Sequence, residues 1–81
     1  MTTITLTAET RAHCTAEPRT AAEAALLALD GTAHADDADA RCAIEAALGC
    51  ECDTRRTTAG TLVFAAHPIA EATGRAVAQL D

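Results

Sequence analysis

The sequence predicts an α+β fold, a two-layer sandwich of element order βααββα. In it a three-stranded antiparallel or mixed sheet, strand order 1-3-2, carries three helices on one face. Three observations predict this. The run from Cys50 to Ala66, CECDTRRTTAGTLVFAA, holds the one aromatic residue of the chain, Phe64, and reads as a β-hairpin. The run Thr3-Ile4-Thr5-Leu6-Thr7-Ala8 alternates polar and apolar residues and is rich in β-branched threonine, the pattern of a strand wet on one face. Elsewhere apolar residues recur at helical spacing. At 81 residues the chain is expected to form a single small domain, residues 1–81.

In the first strand Ile4, Leu6 and Ala8 share the inward face, and Glu9 to Thr15 reads as irregular. Pro18 suits the first turn of a helix, where its missing N–H costs nothing. That helix runs to about Asp30, with Ala22, Ala25, Leu26 and Leu29 inward and Gly31 just past its end. Thr32 to Ala35 reads as a loop. Asp36, Asp37 and Asp39 then crowd the start of a second helix, where carboxylates cap free N–H groups and meet the positive end of the helix dipole. Ala40, Ile44, Ala47 and Leu48 form its apolar stripe, and Gly49 ends it. After the hairpin, His67-Pro68 opens a third helix whose face is Ile69, Thr73, Ala76, Val77 and Leu80.

The hairpin register follows from side-chain parity, because alternate residues of a strand face opposite sides of the sheet. A three-residue turn, Thr58-Ala59-Gly60, pairs Thr54 with Phe64 and Cys52 with Ala66, and gives Gly60 the positive φ that such loops favour. Leu62, Phe64 and Ala66 then face the helices, with Phe64 central to the core. Val63 and Ala65 join Thr3, Thr5 and Thr7 on the bare face of the sheet. That face is nearly uncharged along two of its three strands.

The order of elements resembles that of type I KH domains, which bind single-stranded nucleic acid through a GXXG loop between their first two helices. The corresponding stretch here, Asp30-Gly31-Thr32-Ala33-His34-Ala35-Asp36-Asp37, lacks the second glycine and the basic residues. The resemblance is one of topology and implies no nucleic-acid binding.

A formal charge of −6 opposes a phosphate-binding surface or an anionic membrane, since such affinity comes from Lys and Arg. Lys, Asn, Tyr, Trp and Ser are absent, as expected of a GC-rich genome. No apolar run approaches the roughly 18 to 20 residues that span a bilayer, and no leader pattern opens the chain, so a cytoplasmic protein is expected. There the 4 cysteines read as free thiols rather than disulfides.

Four chemistries have candidate residues in the sequence. Cys50 and Cys52, with Cys14, Cys42, His13 or His67, are the candidate metal ligands. A C-x-C pair within a strand, however, sets its thiols about 7 Å apart on one face, unlike the tight knuckles of structural zinc sites, so no metal is favoured. His13-Cys14 is the obvious pair for thiol catalysis, but adjacent residues rarely orient a base toward its neighbouring nucleophile. Glu51 and Asp53 share a face and read as a solvated strand surface beside Arg55. Arg55-Arg56 lacks aromatic stacking partners for nucleic acid.

The expectation is therefore a small acidic, non-enzymatic protein-interaction module without a cofactor. It binds another copy of itself as a homodimer, or a host protein if it comes from a phage or mobile element. Its interaction residues are Thr3, Thr5, Thr7, Val63 and Ala65, with Asp36, Asp37 and Asp39 as a separate acidic cluster. The alternatives are a Cys/His-based metal or thiol protein, and an acidic mimic of DNA that uses the aspartates.

Overall fold

The computed structural model describes residues 1–65 and 76–81. Among these the chain forms β1 (Thr2–Leu6), α1 (Ala8–Thr15), α2 (Ala21–Leu29), β2 (Ala33–His34), α3 (Asp37–Leu48), β3 (Cys52–Thr57), β4 (Gly60–Ala65) and β5 (Ala78–Leu80). All the strands join one antiparallel sheet in the order β2-β1-β5-β4-β3. The α+β class stands. The three-stranded sheet in order 1-3-2 does not, and with it goes the topological likeness to KH domains.

The extra strands are short. β2 is a two-residue bridge that pairs Thr2 with His34 and Thr3 with Ala33, in the stretch read as a loop. β5 occupies the centre of the sheet, where Leu80 sits between Ile4 and Thr61, and Ala78 between Leu6 and Val63. Ala76, Val77 and Leu80 were expected on a helix. A three-residue strand is too short for its own side-chain period to compete with a helical one, and β5 is held instead by backbone bonds on both sides. Val77 N donates to Val63 O at 2.7 Å, and Thr3 and Asp81 exchange bonds of 2.9 and 3.1 Å. The start of the expected third helix, with His67, Pro68, Ile69 and Thr73, lies outside the described residues.

The helices begin at caps that the sequence carries. Thr7 caps α1: its hydroxyl oxygen accepts from the Thr10 amide and lies 2.8 Å from Thr10 Oγ1. Glu9 to Thr15, read as irregular, is therefore helical, and Ala8, expected on the first strand, opens that helix. Thr20 and Glu23 form a reciprocal capping box that starts α2 at Ala21, so Pro18 precedes the helix, after a cis Glu17–Pro18 bond. Asp36 caps α3 by accepting from the Asp39 amide at 2.9 Å, and Gly49 closes it at φ 73°.

The core lies between the helices and one face of the sheet. Ile4, Leu6, Val63, Ala78 and Leu80 from the sheet meet Cys14 of α1, Leu26 of α2, and Ala40, Ile44 and Leu48 of α3 in one buried cluster. Leu26 and Ile44 are fully buried, as the helical spacing predicts, and Ala40 and Leu48 join them.

The hairpin register differs by one residue from the expected one. The turn is Thr58-Ala59, with Thr57 opposite Gly60, Cys52 opposite Ala65, Thr54 opposite Val63, and Asp53 and Arg55 opposite Phe64 and Leu62. Because the side-chain period is two, that slip moves the whole set to the other face. Val63 is buried against the helices, whereas Leu62 and Phe64 are half-buried on the far face, with the Arg55 guanidinium 5.6 Å from the Phe64 ring centroid. Thr57 sets the turn without any positive φ at Thr58 or Ala59: its hydroxyl accepts from the Ala59 amide and donates to the Gly60 carbonyl. Gly60 has φ 138°, and a Cβ there would lie 2.8 Å from the Leu80 carbonyl oxygen, so glycine is required where β4 meets β5.

Candidate functional site: an open sheet edge beside an arginine-lined cleft

β3 ends the sheet, and of its six residues only Cys52 is buried. Its neighbours fix the direction of its backbone groups. The Val63 carbonyl accepts from Val77, so the backbone of Val63 is turned toward β5. Thr54, directly opposite Val63, is thus a non-hydrogen-bonded partner, and its own N–H and C=O point to the open side. The Cys52 amide agrees, since it bonds the Glu45 carboxylate at 2.9 Å instead of β4. By the same alternation Arg56 also presents its N–H and C=O to the edge.

The side chains of β3 divide between two faces. Thr54 and Arg56 point to the helix side, where Thr54, Arg56 and Thr61 meet Asp37, Ala38 and Arg41 of α3 around an open cavity of about 250 Å³. Asp37 is tethered in its wall: Thr2 donates to Oδ1 at 2.7 Å and Thr61 to Oδ2 at 3.4 Å. The ion pairs among the described residues are Arg11–Asp30, His13–Glu23 and Arg19–Glu17. Arg41, Arg55 and Arg56 take part in none of them, nor do Glu45 and Asp53. On the far face Asp53 and Arg55 stand two residues apart, both exposed.

The expected interaction face is dispersed. Thr3 and Thr5 do lie on the far face, but Val63 is fully buried on the helix side and Ala65 stands opposite the buried Cys52. Thr7 caps α1, and its hydroxyl reaches the Ala76 carbonyl at 3.1 Å. The aspartates have structural tasks: Asp36 and Asp39 build the first turn of α3, and Asp37 joins that turn to β1 and β4. Arg55 and Arg56 point to opposite faces and do not form a single basic patch.

The cysteines are also separated. Cys14 is buried in α1, Cys42 is exposed on α3, Cys50 is half-buried and Cys52 is buried at the start of β3. Among the described residues no three of His, Cys, Asp and Glu are grouped closely enough to hold a metal ion; His67 lies outside them. Burial pushes the Cys52 thiol up to about 11, helped by Cys50 and Glu45, and burial together with Glu23 raises that of Cys14. Neither is a poised thiolate. His13 Nε2 stands 2.7 Å from Glu23 Oε2, while Oε1 of the same carboxylate accepts from the Thr20 amide. This arrangement ties α1 to the start of α2. No described helix is long and apolar enough to cross a membrane.

Comparison with protein-family models, with curated proteins and with solved structures returns no match to this chain.

Proposed function

We propose that the protein is a small acidic, non-enzymatic protein-interaction module that binds by strand addition at the β3 edge. The observation that carries this reading is the outward direction of the Thr54 and Arg56 backbone groups on an exposed six-residue edge strand. An extended segment laid along such an edge gains main-chain hydrogen bonds, and its alternate side chains enter whatever pocket flanks the edge. Here the flanking pocket is the cleft of Arg41 and Arg56. The binding reading is preferred to a catalytic one because the titratable clusters are occupied in caps and ties, and the buried thiols are held protonated.

Selection from a random-peptide display library tests the reading. Recovered peptides are expected to lose binding to the Thr54→Pro variant, whose ring removes an outward N–H and leaves the β3–β4 ladder intact. They should keep binding to a Thr5→Ala variant on the far face. Peptides indifferent to Thr54→Pro would place recognition elsewhere and overturn the proposal.

A further inference from the structure

Resting on this reading of the β3 edge, we infer that its partner is a second copy of the chain, paired antiparallel through β3 about a two-fold axis at Thr54. Backbone direction restricts the possible registers. Only Cys52, Thr54 and Arg56 face outward, so they must meet outward-facing residues of the second copy in hydrogen-bonded pairs. A register centred on Asp53 opposes two aspartates, and one centred on Arg55 opposes two arginines. Centring on Arg56 sets Arg55 opposite Thr57. The register centred on Thr54 sets Asp53 opposite Arg55 twice over, and both residues are exposed and outside the ion pairs among the described residues.

The helix side is complementary in the same register, where Cys52 stands opposite Arg56 of the second copy. The Cys52 amide would exchange the Glu45 carboxylate for the Arg56 carbonyl. Glu45 would then be released beside the incoming Arg56 guanidinium. Charges on an edge strand ordinarily deter sheet-to-sheet pairing. The sequence Asp53-Thr54-Arg55 does so in the registers centred on Asp53 and on Arg55, and only the register centred on Thr54 sets its opposite charges face to face. Two five-stranded sheets joined in this way become one continuous ten-stranded sheet. Pairing of about five residues a side buries less than the roughly 800 Å² per partner of a standard interface, so the dimer is a weak one, populated at high protein concentration.

Sedimentation of the wild type up to millimolar concentration, with charge variants, tests the inference. Asp53→Arg sets arginines opposite arginines, and Arg55→Asp sets aspartates opposite aspartates. Each alone is expected to weaken dimerisation on the order of tenfold or more, because two symmetry-related pairs turn from attractive to repulsive. An equimolar mixture of the two variants restores opposite charges at both pairs and is expected to form the heterodimer. Amide exchange on the unmodified protein gives a second readout that does not depend on any variant: Thr54 and Arg56 amides gain protection as concentration rises. A wild type that is monomeric at millimolar concentration would overturn the dimer while leaving strand addition by other peptides standing. A dimer indifferent to both single variants, or a mixture that stays monomeric, would overturn the register.

Discussion

Each of the four cysteines sits in a different environment, which makes their reactivity a direct probe of the fold. Cys42 is exposed on α3, Cys50 is half-buried, and Cys14 and Cys52 are buried, with thiols raised by loss of solvation. Only thiolate reacts, so the order of alkylation at neutral pH is expected to be Cys42, then Cys50, with Cys14 and Cys52 modified only when the chain opens. Site-resolved mass spectrometry after brief iodoacetamide treatment checks this, and fast labelling of Cys52 would contradict its placement in the core. Burial of Cys52 agrees with the general tendency of free cysteine to lie in the core. The place of Cys14 depends on α1, a helix that the Thr7 cap begins.

For the elements, the test is which side of β4 carries the fold. Ile44 of α3 is fully buried against the sheet, whereas Phe64 is half-buried on the far face under Arg55. Ile44→Ala is expected to cost about 2 to 5 kcal/mol, the range for truncating a buried aliphatic residue, and Phe64→Ala substantially less. Thermal melts of the two variants decide the matter, and a Phe64→Ala protein less stable than Ile44→Ala would restore the opposite register. The inward face of β4 hangs on the length of the turn, since one residue more or less exchanges its two faces. The row on the helix side is Thr61, Val63 and Ala65, because the two-residue turn at Thr58-Ala59 sets the parity.

Across the whole molecule, the Arg11–Asp30 pair joins three separate segments. Asp30 follows α2, accepts from the Leu6 amide of β1 at 3.0 Å, and meets Arg11 of α1 at 2.8 Å. The hydrogen bond from Arg11 holds the Asp30 carboxyl below its ordinary value of 3.8. A carboxyl whose folded pKa is depressed adds stability that is present above the unfolded pKa and is lost as pH falls through the folded one. The stability difference between wild type and Asp30→Asn is therefore expected to be full at neutral pH and to shrink below about pH 4. Denaturant melts at several pH values measure it, and a difference unchanged down to pH 2 would show that the charge on Asp30 contributes nothing.

The residues themselves determined what needs only local physics. The cap at Asp36, the stop at Gly49, the stripe Ala40, Ile44 and Leu48, and the inward Ile4 and Leu6 all follow from hydrogen bonds and periods set within one or two turns of chain. The Thr20–Glu23 box was written there as well, four residues that place the start of α2 after Pro18. Tertiary structure alone decided the rest. Three residues, Ala78 to Leu80, become the central strand because β1 and β4 both offer them backbone partners, a choice made 15 or more residues away in sequence. Once β5 fills the centre, β3 is left as the outer strand. Which backbone groups it leaves open is then settled by the side of β4 that β5 has already taken.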